Sequence, residues 1–365
     1  MKFTALREQI LSPLQSVIGV VERRQTMPVL SNVMLSARSN RLSITGTDLE
    51  VELVVASDIT TTQAGDITVP GRKFLDIMRA LPEGVSVTVA TESERLTVKA
   101  GRSRFTLSTL PAGEFPVVDA VDAQHTVKVP QSVFRHLIDK SHFSMAQQDV
   151  RYYLNGLLLE SDGNVLRTVA TDGHRLALSE TELDVKAKTK HQVIVPRKGV
   201  LELQRILGEN GDVELAIGTN HVRCQIGDIR FTSKLIDGRF PEYSRVIPSN
   251  PTKLVESDRE SLRAALQRTA ILSNEKYRGV RINVKPNLLT LQAHNPEQEE
   301  AEDSLEVSYS GEEVEIGFNV TYLLDALAAI DGDRVQIGLT DENSSCLITM
   351  PGKQDCKYVV MPMRL

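Results

Sequence analysis

The chain has 365 residues, more than one hydrophobic core usually serves, so two or three domains are expected. An apolar fraction of 41% supports sizeable cores, while the absence of tryptophan and an aromatic share of only 4% argue against a deep aromatic ligand pocket. With 42 Lys and Arg against 48 Asp and Glu the net charge is −6, which excludes a protein that is basic throughout, as most nucleic-acid binders are.

Charges in the opening Met1-Lys2-Phe3-Thr4-Ala5-Leu6-Arg7-Glu8 stand where a secretion signal needs an apolar run. No stretch approaches the roughly 20 apolar residues of a membrane span, so a cytoplasmic protein without membrane contact is expected. The first element is a helix with Leu6, Ile10, Leu14, Val17, Ile18 and Val21 at helical spacing, in which Pro13 predicts a kink or a late start. Alternating strands follow at Leu42 and Ile44, then at Val51, Leu53 and Val55. A second helix is predicted from about Arg72 to Leu81, and Val85, Val87 and Val89 begin further strands.

The same text then returns. Val69-Pro70-Gly71-Arg72-Lys73 reappears as Val195-Pro196-Arg197-Lys198-Gly199, and Arg104-Phe105 as Arg230-Phe231, both at an offset of 126 residues. Thr47-Asp48 recurs as Thr171-Asp172. A fainter third copy runs from Phe318 to Leu327. Repetition at this period predicts three tandem domains, 1–122, 123–248 and 249–365. Each is expected to be a duplicated helix-plus-antiparallel-strands unit, giving an α+β fold with six helices.

The helices collect the cations. Arg7, Arg23 and Arg24 fall in the first, Arg72, Lys73 and Arg79 in the second, and Arg135 and Lys140 in the third. The fourth holds Arg197, Lys198 and Arg205; the fifth holds Arg259, Arg263, Arg268 and Lys276; the sixth has only Asp325 and Asp331. Solvated helix faces always carry charge, but five helices biased the same way suit a wall that faces phosphates. No recognition helix, zinc finger or RNA-stacking strand accompanies them, so contact would be independent of sequence. Cys224, Cys346 and Cys356 are scattered without a CxxC pair, and no ligand spacing is recognisable, so no disulfide, metal or cofactor is expected.

Several long motifs resemble the bacterial sliding clamp, the beta subunit of the replicative DNA polymerase. They include Thr45-Gly46-Thr47-Asp48-Leu49-Glu50, Phe143 to Gly156, Ala170-Thr171-Asp172-Gly173-His174-Arg175-Leu176, Asn295 to Glu302 and Tyr358 to Leu365. The resemblance covers essentially the whole chain. It implies a head-to-tail homodimeric ring of six similar domains, with helices inside and sheets outside, that encircles duplex DNA and tethers polymerases. It implies no catalytic residues.

Three sites follow from the matched motifs. DNA would meet Arg24, Arg72, Gln148, Tyr152 and Tyr153, with Arg197 and Lys198 beside them, although Tyr152 and Tyr153 also read as core residues of a strand. A groove between the middle and last domains would take short apolar peptides from the DNA polymerase III catalytic subunit, other polymerases, the clamp loader and repair proteins. Its matching positions are Leu154, Thr171, Gly173, His174, Arg175, Leu176, Pro241, Arg245, Val246, Tyr322, Ser345, Val359, Val360, Met361, Pro362, Met363 and Arg364. A Met- and Val-rich segment suits several partners, and equally a strand that closes a sheet. At the ring seam, Phe105 and Leu107 would meet Ile271 and Leu272 of a second copy. Lys73, Arg95, Arg102 and Arg104 would face Glu297, Glu299 and Glu300, with Glu302 next to them.

Two other readings compete. Asp172 and His174 sit close enough for a hydrolytic pair, yet no nucleophile elbow, phosphate loop or GxGxxG accompanies them. A monomeric tandem-repeat adaptor would share the groove but would need neither Ile271 and Leu272 nor basic helices.

Overall fold

The computed structural model describes residues 1–21, 27–118, 121–184 and 189–364, which form an α+β protein whose strands all pair antiparallel. Six α-helices occur among the described residues: α1 Arg7–Val17, α2 Gly71–Ala80, α3 Gln131–Asp139, α4 Arg197–Ile206, α5 Arg259–Thr269 and α6 Val320–Ala329. Each follows directly on a strand, so the repeat seen in the text is repeated in the elements. Among these residues no helix is long and apolar enough to cross a membrane.

The chain packs into two compact units that do not follow the repeats. One contains Met1–Arg135 and Lys198–Leu235, the other His136–Arg197 and Ile236–Leu365, so the middle repeat is divided between them. Strand pairing is the cause. In the first unit an eight-stranded sheet runs in the order His125–Pro130, Asp212–Ile217, His221–Ile226, Ile229–Lys234, Val51–Asp58, Arg41–Thr47, Asn32–Arg38, Gly65–Pro70. Its centre joins a middle-repeat strand to a first-repeat strand, with Phe231 opposite Leu53. The second unit repeats the plan. Strands His191–Pro196, Gly156–Asp162, Val165–Thr171 and Arg175–Glu182 continue into Cys356–Val360, Cys346–Thr349, Arg334–Leu339 and Lys253–Asp258. There Ala177 lies opposite Tyr358. A five-stranded sheet in the first unit ends at Ser103–Ser108, and a four-stranded sheet in the second ends at Glu300–Glu306.

The cores are aliphatic, as the composition requires. Phe3, Phe74, Phe231 and Phe318 are fully buried among many Leu, Ile and Val side chains. Cys224 and Cys346 are buried thiols, and burial raises the pKa of both, up to about 12 for Cys346. Among the described residues no group of three or more His, Cys, Asp or Glu could hold a metal ion.

The first helix differs from its predicted form at both ends: Leu6, expected on its apolar face, closes the strand Lys2–Leu6 and is exposed. The helix ends at Val17, where the backbone N–H of Ile18 closes on Leu14 at 3.0 Å, so buried Val20 and Val21 belong to the turn beyond. The apolar period overran because a buried turn is as apolar as a helix face. Glu22, Arg23 and Arg24 lie outside the described residues, and α1 itself carries only Arg7 and Glu8 as charges. Lys140 and Lys276 likewise fall beyond the ends of α3 and α5. Pro13, by contrast, stays inside α1 without ending it. A proline cannot donate to the carbonyl four residues back, here Gln9. The Ser57 hydroxyl donates to that carbonyl instead, at 2.7 Å, from the neighbouring strand.

Removing the donor leaves the Gln9 carbonyl without its partner. Ser57→Ala is expected to lower unfolding free energy by about 0.5–1.5 kcal/mol in urea titration, and an unchanged midpoint would show that solvent serves Gln9 as well.

Candidate functional site

In the second unit, Leu154, Thr171, Gly173, Arg175, Leu176, Pro241, Val246, Val359 and Met361 line a cavity of about 170 Å³, together with Arg151, Tyr153 and Tyr243. Its floor is a small core cluster that includes Leu176, Leu178, Phe240 and Val359. Pairing of Arg175–Glu182 with Cys356–Val360 builds this floor, because Leu176 stands opposite Val359. Alternation then sends the next residue to the other face: Val360 is buried in the larger core and is absent from the groove lining.

The groove's rim is a tight loop. Asp172 Oδ1 accepts the backbone N–H groups of His174 and Arg175 at 2.9 and 3.0 Å. Thr171 Oγ1 accepts from the Gly173 N–H at 3.1 Å and donates to the Arg175 carbonyl at 2.6 Å. Gly173 has φ +88°, and a Cβ there would lie 2.8 Å from the Arg151 guanidinium, so glycine is needed for backbone and space alike. The same turn exists at Thr47-Asp48, where Leu49 takes φ +79°. The repeated Thr-Asp pair is thus a turn motif. The Asp172 carboxylate accepts from backbone amides and from the Arg175 guanidinium at 3.2 Å, the bonds of a turn.

Arg175 is fixed on every side. It donates to Asp325 at 2.5 Å and to the Phe143 carbonyl at 2.8 Å, and its guanidinium stacks 4.6 Å from the Tyr322 ring centroid. Arg151 donates to Asp149 at 2.8 Å and to the Asp172 carbonyl at 3.1 Å. Those bonds from Arg151, side chain first and backbone next, bring the Asp149 carboxyl down to about 2.

The remaining groove positions sit apart from this cavity. His174 is exposed and its carbonyl accepts from the Met361 N–H at 2.9 Å; Tyr322 lies beneath Arg175. Arg245, Ser345 and Pro362 do not line it, and Met363 and Arg364 line a separate cavity of about 900 Å³ with Tyr277, Arg281 and His294. The sequence reading missed Arg151 and Tyr243. Arg151 stood inside a quoted motif without a role, and Tyr243 follows Pro241 by two residues, a nearness that signals little without the fold.

The other two sets are placed as follows. Tyr152 and Tyr153 are in a 3₁₀ turn, Tyr152–Leu154, and so are not strand residues; Tyr152 is 58% exposed, whereas Tyr153 packs against the groove's floor. Gln148 is exposed with φ +55°. Arg72 is exposed on α2 and donates to the Val21 carbonyl at 3.0 Å; Arg197 and Lys198 open α4, and Lys198 is paired with Asp48. Arg24 lies outside the described residues. Lys73, Arg95, Arg102 and Arg104 are exposed, Phe105 is half-buried, and Leu107 is largely covered within its own sheet. Ile271 is 75% exposed in the 3₁₀ turn Ala270–Leu272, with Leu272 half-buried beside it, and Glu297, Glu299 and Glu300 are exposed.

Models of the DNA polymerase III beta subunit match the chain in three stretches: the N-terminal domain over residues 1–119, the central domain over 128–242 and the C-terminal domain over 244–364. The beta sliding clamp of Pseudomonas aeruginosa is 55% identical, with 100% of both chains covered. The crystal structure of the DNA polymerase III subunit beta from the same organism superposes with a TM-score of 0.98 at 54% identity, covering 100% of both chains. A sliding clamp from Pseudomonas aeruginosa bound to griselimycin gives 0.97 at 54% identity, again over 100% of both. The chain therefore belongs to the beta-subunit family of DNA polymerase III, the sliding clamps, which serve replication as non-catalytic processivity subunits.

Proposed function

We propose that two copies of this chain join head to tail into a ring of six domains, the repeats 1–122, 123–248 and 249–365 from each, which encircles duplex DNA in the cytoplasm. The groove would take short apolar peptides from the replicative polymerase, other polymerases, the clamp loader and repair proteins.

The repetition of strand pairing carries the ring. Twice within the chain, the last strand of one repeat pairs with a strand from the first half of the preceding repeat: Ile229–Lys234 with Val51–Asp58, and Cys356–Val360 with Arg175–Glu182. By the same correspondence Ser103–Ser108 lacks a preceding repeat and Glu300–Glu306 lacks a following one, and both are edge strands. Open edges invite another strand. A second copy supplies each edge with its counterpart, and two such contacts close the assembly. The pairing of Phe231 with Leu53 and of Tyr358 with Ala177, carried over, would set Phe105 opposite Ala301 and Arg104 opposite Glu302 of the second copy. Tyr358 also packs against Phe143, ring centroids 5.9 Å apart, and the counterparts of these two are Phe105 and Ile271. The apolar contact would dominate the seam, since exposed ion pairs contribute only about 0–1 kcal/mol each.

For DNA, the support is the set of cations and polar groups on helices and in turns, Arg72, Arg197, Lys198, Gln148 and Tyr152; Arg24, which the resemblance adds to them, lies outside the described residues. Phosphate contacts of this kind hold any sequence and weaken with salt.

The test is to load the protein on nicked circular plasmid with its clamp loader and ATP, then linearise the DNA. Retention on circles and loss from linear DNA is expected; equal retention on both would mean simple surface binding and would end the ring reading. At the seam, Ile271→Asp combined with Leu272→Asp is expected to halve the mass seen by light scattering. An unchanged mass with an unchanged melting temperature would place the subunit contact elsewhere.

A further inference from the structure

One aromatic ring of the groove's lining is held from outside the groove. Tyr243, in the 3₁₀ turn Tyr243–Arg245, lines the groove and also lines a neighbouring cavity of about 630 Å³ bounded by Arg167, Glu180 and Lys357. No regular helix or strand carries it. Its hydroxyl is tethered: it donates to Glu160 Oε1 at 2.7 Å and accepts from Arg167 Nη1 at 3.0 Å.

The tether is anchored in the sheet. The Glu160 side chain has no exposed surface, so its charge must be compensated by protein groups. Arg167 and Gln192 donate to it, and Lys190 Nζ lies 2.9 Å away. Register explains the cluster. Glu160 stands opposite Gln192 on one neighbouring strand and opposite Arg167 on the other, and Arg167 in turn stands opposite Glu180, to which it donates at 2.6 Å. Directly opposite residues share a face, so these four form one row across four strands. Burial raises the Glu160 carboxyl, but Lys190, Tyr243 and Gln192 more than reverse that, leaving it below its usual value and therefore an acceptor. Burial and the bond to Glu160 push the Tyr243 hydroxyl up, so it keeps its proton.

We propose that Glu160 is a positioning residue for the groove, holding the Tyr243 ring as a fixed wall through its hydroxyl. The proposal rests on the groove being the peptide site. Without the tether the ring can turn toward the adjoining cavity, and a site that must be ordered on binding holds its ligand less tightly. A purely structural role for the row would instead affect the melting temperature and leave the groove's affinity alone.

The full-length protein would be titrated with griselimycin, the compound bound by the related Pseudomonas aeruginosa clamp, in wild-type form and as Val246→Asp, Tyr243→Phe, Glu160→Gln and the Tyr243→Phe, Glu160→Gln double variant. Strong loss in Val246→Asp is expected if griselimycin occupies the groove. Tyr243→Phe keeps the ring and its apolar contacts, and is expected to weaken binding about 3- to 10-fold through the lost bond. The double variant is expected to bind no more weakly than Glu160→Gln alone, because both changes cut one tether. Undiminished affinity in Tyr243→Phe beside a damaged Val246→Asp, or losses that add in the double variant, would overturn the anchor while leaving the groove. No binding by the wild type, or full binding by Val246→Asp, would overturn the groove reading and the anchor with it.

Discussion

Phe231 lies opposite Leu53, and Tyr358 opposite Ala177, in strands that belong to different repeats. Nearly everything else in the protein depends on that exchange. A four-stranded half-sheet exposes an edge of unpaired amides and carbonyls, and another strand is the most direct way to satisfy it. Because each repeat offers one edge and accepts another, the middle repeat is shared between two compact units. The same rule leaves one strand of each kind, Ser103–Ser108 and Glu300–Glu306, at the edge of its sheet.

The groove is a by-product of this pairing. Leu176 and Val359 are neighbours only because Arg175–Glu182 and Cys356–Val360 form one sheet, and the Thr171-Asp172 turn at the end of that sheet supplies the rim. Polar groups around it are fully engaged: Asp172 with amides, Arg175 with Asp325 and the Tyr322 face, Arg151 with Asp149. An apolar floor with a rim of tied-down charges suits short apolar segments whose flanking groups are polar.

Much of this was legible in the text because repetition preserves whatever each unit needs locally. The helices are legible in their apolar spacing and in the recurring Val-Pro text before them, and Thr47-Asp48 is legible because the turn needs those side chains in each copy. Three kinds of feature were not legible. The end of α1 was hidden because Val20 and Val21 are buried in a turn, and burial looks the same on either side of a helix end. Tyr152 and Tyr153 leave a strand reading open beside the DNA-facing one because aromatics favour strands, whereas the backbone there forms a 3₁₀ turn. Arg151 and Tyr243 acquire their positions from Asp149, Asp172, Glu160 and Arg167, partners that no local period connects. The division of the middle repeat was hidden for the same reason, since strand exchange joins residues far apart in the chain.

The order of synthesis gives the strand Cys356–Val360 a further meaning. Gly156–Asp162, Val165–Thr171 and Arg175–Glu182 are translated long before the strand that completes their sheet. Until the ribosome has passed Met361, the groove lacks Val359 and Met361 from its lining, and the edge of Arg175–Glu182 has no partner. A nascent chain therefore cannot present the finished groove, so a partner that reads this surface would select molecules whose folding is already complete. The cost is a long interval in which an apolar edge is open, and pairing across so much sequence is slow by nature.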